Sequence, residues 1–175
     1  MEPARVTSSP PQSAKVTCQH RWLSRTIFFL ERVATFAQLG FSALQIIAIG
    51  AEAKQLESGE VLFEAGDTAA SGYIIRDGAL KLALPNADPS DPGITVGAGV
   101  LLGELALVTE TRRPVTATAI EPTTVMRISR SLFRKVLEGF PAAAVQMRNR
   151  IAEQAAEAAD EIQAVLLLLD PSRRR

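Results

Sequence analysis

The residues best suited to chemistry lie in two short runs, Gly103-Glu104-Leu105-Ala106-Leu107 and Thr111-Arg112-Arg113-Pro114-Val115-Thr116-Ala117. A glycine at 103 lets backbone come close to a ligand. A short helical turn after it would aim unpaired N–H groups at an anion. On that turn Glu104 is placed to accept hydrogen bonds from two neighbouring hydroxyls, and Arg113, one short loop later, offers the planar fork that suits phosphate oxygens. A carboxylate for ribose and a guanidinium for phosphate make a nucleotide-monophosphate site with no catalytic group. The alternative for the same two residues is an internal salt bridge or a solvated loop pair.

Other chemistries find little material. The chain has one cysteine, Cys18, and one histidine, His20, so neither a disulfide framework nor a Cys/His metal site can be assembled from them, and both read as bystanders in a polar lead. Glu60 with Glu64, and Glu153 with Glu157, have the spacing of acid/base pairs but no evident neighbour to shift their pKa values. Trp22 and the Phe28-Phe29 pair are not interleaved with basic residues on strands, so they anchor a helix and do not stack bases. No catalytic residue and no metal ligand is therefore expected, and the chain reads as a non-enzyme.

Charge and hydropathy bound the partners. There are 19 basic and 19 acidic residues, hence no net field to recruit nucleic acid or an anionic membrane. The basic clusters at the two ends, including Arg173, Arg174 and Arg175, read as solvated tails. Apolar runs such as Phe41 to Ala51 and Val165 to Leu169 are too short to span a bilayer, and the first twenty residues lack the apolar core of a secretion signal. The expected location is cytoplasmic, without DNA or membrane as partner.

The elements that must hold the two runs follow from periodicity. Residues 1–20 read as a disordered tail and residues 21–53 as N-terminal helices. Leu23, Ile27, Leu30, Val33, Ala34, Ala37 and Leu39 recur at three-to-four spacing, and a second helix is predicted over Ser42 to Ala53 with Ser42 as its N-cap. Residues 54–130 change to short β-like runs punctuated by Gly59, Gly66, Gly72, Gly78, Gly93, Gly97, Gly99 and Gly103. The strands expected are Val61 to Phe63, Tyr73 to Arg76, Ala79 to Leu84, Val115 to Ala119 and Thr124 to Ile128. Asp67 is expected to bond its own turn, and Pro85 to Gly93 to form an exposed hairpin loop. Many short strands at this spacing indicate a sandwich, barrel or jelly roll.

Helical period returns over residues 131–170, with Ser131 as cap and a break at Gly139, Phe140 and Pro141. Beyond it a long helix is predicted from about Ala142 to Leu169. Ile151, Ala155, Ala158, Ile162, Val165 and Leu169 alternate four- and three-residue steps there, a heptad seam that favours a homodimer over packing on the same roll. Residues 171–175 are a basic tail.

The ordered pattern resembles the cyclic-nucleotide-binding domain family, over about residues 33 to 165. The resemblance rests on Gly103-Glu104-Leu105-Ala106 followed, without a gap, by Arg113 and its neighbours, flanked by helices before and after the roll. It implies a mainly β fold, a double-stranded β-helix or jelly-roll β-roll with N-terminal helices and C-terminal hinge and lid helices. It also implies a cyclic nucleotide, cAMP or cGMP, held by Leu102, Gly103, Glu104, Leu105, Ala106, Arg113, Pro114, Val115 and Thr116, with no other cofactor.

Three departures qualify it. Leu102 stands where an aromatic is usual. Pro114 follows the arginine where the family uses a backbone N–H donor to phosphate, and proline has none. Arg112 could replace part of that loss through its charge. Proline also lacks the hydroxyl that resembles a guanine-selecting feature, which favours cAMP over cGMP. Finally, no helix-turn-helix module is expected from the residues after the last helix. The implied function is a sensor acting through movement of the C-terminal helix on a dimer or a separate effector protein. The alternatives are a roll that has lost its nucleotide and serves as a dimerising interaction module, or a transcription-regulator relative without its DNA-binding part.

Overall fold

The computed structural model describes residues 12–85, 92–146 and 149, with side chains described from residue 22 onward. Helix α1 spans Gln12–Glu31 and α2 Phe41–Gly50. The polar lead is thus shorter than the sequence suggested, and Cys18 and His20 fall on helical backbone. The reason is that no proline or glycine occurs between Pro11 and Gly40, so nothing interrupts the helix once it has started.

The apolar period that follows α1 covers two kinds of structure. The helix ends at Glu31, and residues 32–39 run as tight turns. Val33, Phe36 and Leu39 donate their N–H groups to the carbonyls of Leu30, Val33 and Phe36 at 3.0, 2.8 and 2.9 Å. Those three-residue bonds match the three-residue spacing of Leu30, Val33, Phe36 and Leu39, all of which are buried. After this turn α2 starts one residue before Ser42, its N-cap is Gly40, and no side chain caps it. It also stops earlier than expected, because Glu52–Leu56 is strand β1.

The remaining strands are β2 Val61–Phe63, β3 Thr68–Ala69, β4 Ser71–Asp77, β5 Ala79–Ala83, β6 Ile94–Gly97, β7 Leu101–Leu102, β8 Thr111–Arg112, β9 Thr116–Ala119 and β10 Thr123–Ser129. Two short helices join them, α3 Leu105–Val108 and α4 Arg130–Gly139. The five strands expected from sequence are present; β3, β7 and β8, of two residues each, are too short and β1 too polar to announce themselves, and β6 is a further strand beyond those expected. Gly72 and Gly97 lie inside β4 and β6 and are not turn residues.

All pairing is antiparallel, in one four-stranded sheet ordered β1-β10-β4-β7, a second ordered β2-β9-β5-β6, and a β3-β8 ladder. This is the mainly antiparallel β-roll with flanking helices. Strands β5 and β6 form a hairpin around the proline-containing loop, with Leu82 opposite Ile94; residues 86–91 of that loop lie outside the described residues.

Two cores share the first sheet. Successive side chains of a strand point to opposite faces, so Ile74 and Ile75 of β4, and Met126 and Val125 of β10, are divided between them. Ile74 and Met126, with Ile128 and Leu107, pack on Leu30, Phe36, Leu44 and Ile47 of the N-terminal segments and on Phe133 and Val136 of α4. Ile75 and Val125 face the inside of the roll with Leu56, Leu62, Leu80, Ala117 and Ala119. The Phe36 and Phe133 rings meet at 5.9 Å, tilted by 42°.

Helix α4 begins two residues earlier than a cap at Ser131 would place it, because Ser129 and not Ser131 is the cap. The Ser129 hydroxyl accepts the Leu132 N–H at 3.2 Å from an extended backbone, φ −74° and ψ 148°. Phe140 ends the helix and residues 141–146 are again helical. The expected seam of Ile151, Ala155, Ala158, Ile162, Val165 and Leu169 lies outside the described residues, as do Glu153, Glu157 and the closing arginines.

Ser129→Ala is expected to lower stability by about 1 kcal/mol and Ser131→Ala by only a few tenths. Urea unfolding of the two variants checks the assignment of the cap.

Candidate functional site

Arg113 follows β8 and carries its guanidinium into the roll, where the residue is only 5% exposed. Its backbone is pinned on both sides: its N–H donates to Asp67 O at 2.9 Å, and its carbonyl accepts the Gly66 N–H at 2.8 Å. Asp67 also closes its own turn, accepting the Glu64 N–H at 2.9 Å as expected. The guanidinium donates through Nη2 to Ser71 O of β4 at 2.7 Å. It lies over the ring of Phe63, 4.2 Å from the centroid, with the Tyr73 ring at 5.2 Å. Phe63 and Tyr73 are themselves stacked at 5.9 Å.

This setting holds a cation without neutralising it. Rings and a carbonyl stabilise the charge by ion–dipole and cation–π attraction, yet Arg113 has no carboxylate within ion-pair distance among the described residues. Burial pushes its pKa below the usual arginine value, against smaller raising effects of Tyr73 and Asp67. Arginine remains charged at neutral pH even so. A charge withdrawn from water is stabilised most by an anion that reaches the same place.

Gly103 makes room for it. The residue follows β7 at φ +76°, and a Cβ there would stand 2.1 Å from Arg113 Nη1. The backbone conformation disfavours a side chain, and any Cβ would have to push the guanidinium aside, so the two motif runs meet at this point. Glu104 comes next, half-buried, in helical backbone at φ −54° and ψ −47°. Its carboxylate does not cap α3; instead its Oε1 accepts the Thr35 hydroxyl at 3.0 Å. The internal Glu104–Arg113 salt bridge allowed by the sequence is absent.

The turn offers fewer free donors than expected. Ala106 and Leu107 give their N–H groups to the carbonyls of Gly103 and Glu104 at 3.1 and 3.0 Å, since a single helical turn closes on itself with three-residue bonds. Charge on Arg113, and not spare N–H groups of these two residues, is what the site presents.

The other expected residues divide between lining and scaffold. Leu102 pairs with Tyr73 across β7 and β4 and packs against the roll core. Leu105 is exposed and Ala106 is buried, its carbonyl accepting Arg130 Nε at 2.8 Å. Pro114 is exposed and Val115 half-buried beside the arginine. The Thr116 hydroxyl accepts the Ala65 N–H at 3.0 Å, which ties β9 to the turn after β2. Arg112 points elsewhere, donating through Nη1 to Gly66 O at 2.8 Å on the surface.

Sequence reasoning missed Phe63, Tyr73, Ser71, Thr35 and Arg130. Tyr73 is an aromatic in phase with Ile75 on the inward face of β4, a signal that was available, whereas Phe63 follows the buried Leu62 and reaches the roll interior only where the pairing of β2 with β9 shifts register. Ser71 contributes only a carbonyl, and Thr35 and Arg130 act through partners remote in sequence, so nothing local marks them. Among the described residues no group of three or more His, Cys, Asp or Glu is placed for a metal, and no helix is long and apolar enough to cross a membrane.

Gly103→Ala is expected to displace the Arg113 guanidinium and to destabilise the fold by more than about 1 kcal/mol. Chemical denaturation, with the near-ultraviolet signal of Tyr73 reporting the lost contact, checks this.

Known proteins resemble this chain in sequence and fold. The family model described as the cyclic nucleotide-binding domain matches residues 53–140. A cyclic nucleotide-binding-like protein from Brucella abortus is 38% identical, with a TM-score of 0.57 over 65% of this chain and 98% of that one. The regulatory domain of Toxoplasma gondii PKA, solved with cAMP, shares the fold at 18% identity, with a TM-score of 0.64 over 81% of this chain and 52% of that one. Among curated proteins, lysophospholipase NTE1 of Chaetomium globosum is 32% identical over 69% of this chain, which spans only 8% of that much larger enzyme. The Glu104 and Arg113 positions lie within the matched segment, and the chain belongs to the cyclic nucleotide-binding domain family.

Proposed function

We propose that this chain is a cyclic-nucleotide sensor that prefers cAMP to cGMP, with Arg113 holding the cyclic phosphate and Glu104 a ribose hydroxyl. The observation that carries this reading is the buried guanidinium: it is 5% exposed, oriented by Ser71 and two rings, and left without a carboxylate partner among the described residues. A phosphate supplies the missing charge in a geometry that guanidinium matches. The cAMP complex of the Toxoplasma regulatory domain supports the choice of ligand class.

The adenine preference rests on Pro114, which offers neither a backbone donor nor a hydroxyl. Output passes through α4 and the helix beyond it, and a bound ligand shifts their position only by favouring one arrangement over the other. The chain itself performs no catalysis, works in the cytoplasm without contacting DNA or membrane, and acts as a homodimer or on an effector protein. In the NTE1 relatives the same kind of domain is a small part of a larger enzyme, which supports a regulatory role.

Calorimetry with cAMP and cGMP tests the reading. Binding of cAMP is expected, tighter than cGMP, with stabilisation of about 2.7 kcal/mol when ligand is at a hundred times its Kd. Absence of heat and of thermal stabilisation with both nucleotides favours the interaction module that has lost its ligand. Arg113→Ala is expected to weaken cAMP binding on the order of 100-fold, and Arg112→Ala less than about threefold. Pro114→Thr, which restores an N–H and adds a hydroxyl, is expected to tighten cGMP binding more than cAMP binding.

A further inference from the structure

We infer that Thr35 is a positioning residue for Glu104, so that the turn between α1 and α2 forms part of the binding site. The inference rests on the nucleotide reading above and adds a residue from outside the segment that carries the family match, which begins at residue 53.

Thr35 is 7% exposed, a buried hydroxyl whose donor hydrogen goes to Glu104 Oε1 at 3.0 Å across 69 residues of sequence. A glutamate on a four-residue turn has three free torsions, and the turn itself gives its carboxylate no capping bond. Among the described residues no ion pair holds that carboxylate. A donor fixed on one oxygen limits rotation and leaves the second oxygen to accept from a ligand, which reduces the ordering cost of binding.

The donor stands on rigid ground. The backbone of the turn is closed by the three-residue bonds of Val33, Phe36 and Leu39. Its next residue, Phe36, is fully buried and rests on Phe133 of α4. Thr35 can therefore hold Glu104 in one orientation where a side chain on an exposed loop could not.

The test compares cAMP with 2′-deoxy-cAMP, which lacks the hydroxyl assigned to Glu104, on the full chain by calorimetry. Thr35→Val keeps the shape and removes the donor. It is expected to weaken cAMP binding about tenfold and 2′-deoxy-cAMP binding less than about twofold. Thr35→Ser, which keeps the hydroxyl, is expected to stay within about threefold of the original protein for both nucleotides. Adding Thr35→Val to Glu104→Ala, which removes the acceptor of the Thr35 hydroxyl, is expected to cost nothing further for cAMP.

An unchanged cAMP affinity in Thr35→Val, or an equal loss for both nucleotides, overturns the inference. An equal loss with a lowered melting temperature assigns Thr35 to the fold alone and overturns it too. Should the valine variant not fold, Thr35→Ala provides the same comparison. Failure of the unmodified protein to bind cAMP refutes the nucleotide reading itself, a result separable from all of these.

Discussion

Pairing of β4 with β10 is the constraint on which the molecule depends, because this ladder is buried on both faces. Ile74 and Met126 look toward the helices while Ile75 and Val125 look into the roll. A shift of register by one residue would exchange the two sets and put β-branched residues shaped for the narrow roll against the helices. One pair of strands thereby fixes the relation of helices to roll. The site inherits that relation: β4 supplies Ser71 and Tyr73 to Arg113 and, through its pairing with β7, places Leu102 and the Gly103 turn.

The site is built by exclusion as much as by attraction. Arg113 fits only because position 103 has no side chain and adopts a left-handed backbone. The guanidinium then completes the roll interior from within, resting on Phe63 and Tyr73 as an apolar side chain would. A cation used in this way costs desolvation energy that its ring and carbonyl contacts offset only in part. Maintaining it is consistent with a task that needs a buried positive charge, and binding an anion is such a task.

Helical segments grip the site from two directions. Thr35 reaches Glu104 from the turn after α1. Arg130, the first residue of α4, donates Nε to Ala106 O at the Gly103–Ala106 turn and Nη2 to Ala69 O of β3, and its own N–H goes to Ala70 O at 2.9 Å. The strand β3 that it holds pairs with β8, directly ahead of Arg113. Phe36 and Phe133 join the two grips to each other. The Gly103–Ala106 turn is therefore hydrogen-bonded directly to both helical segments.

The sequence by itself determined the parts whose signal is local. Short strand-forming runs between glycines placed β2, β4, β5, β9 and β10, the glycine and proline punctuation placed the hairpin after β5, and the order of Gly103, Glu104 and Arg113 singled out the residues of the site. Helix limits were less legible: the three-residue spacing through Leu39 serves a tight turn as well as a helix, and Ser129 and Ser131 are equal as caps until β10 fixes where extended backbone ends. Tertiary structure alone decided what those residues touch. Whether Glu104 meets Arg113 or Thr35, whether Arg112 or Arg113 turns inward, and that Phe63 and Tyr73 support the charge all depend on side chains brought together from distant segments. Such contacts follow from the register of the sheets and from the space that Gly103 leaves, neither of which is written in any one stretch of sequence.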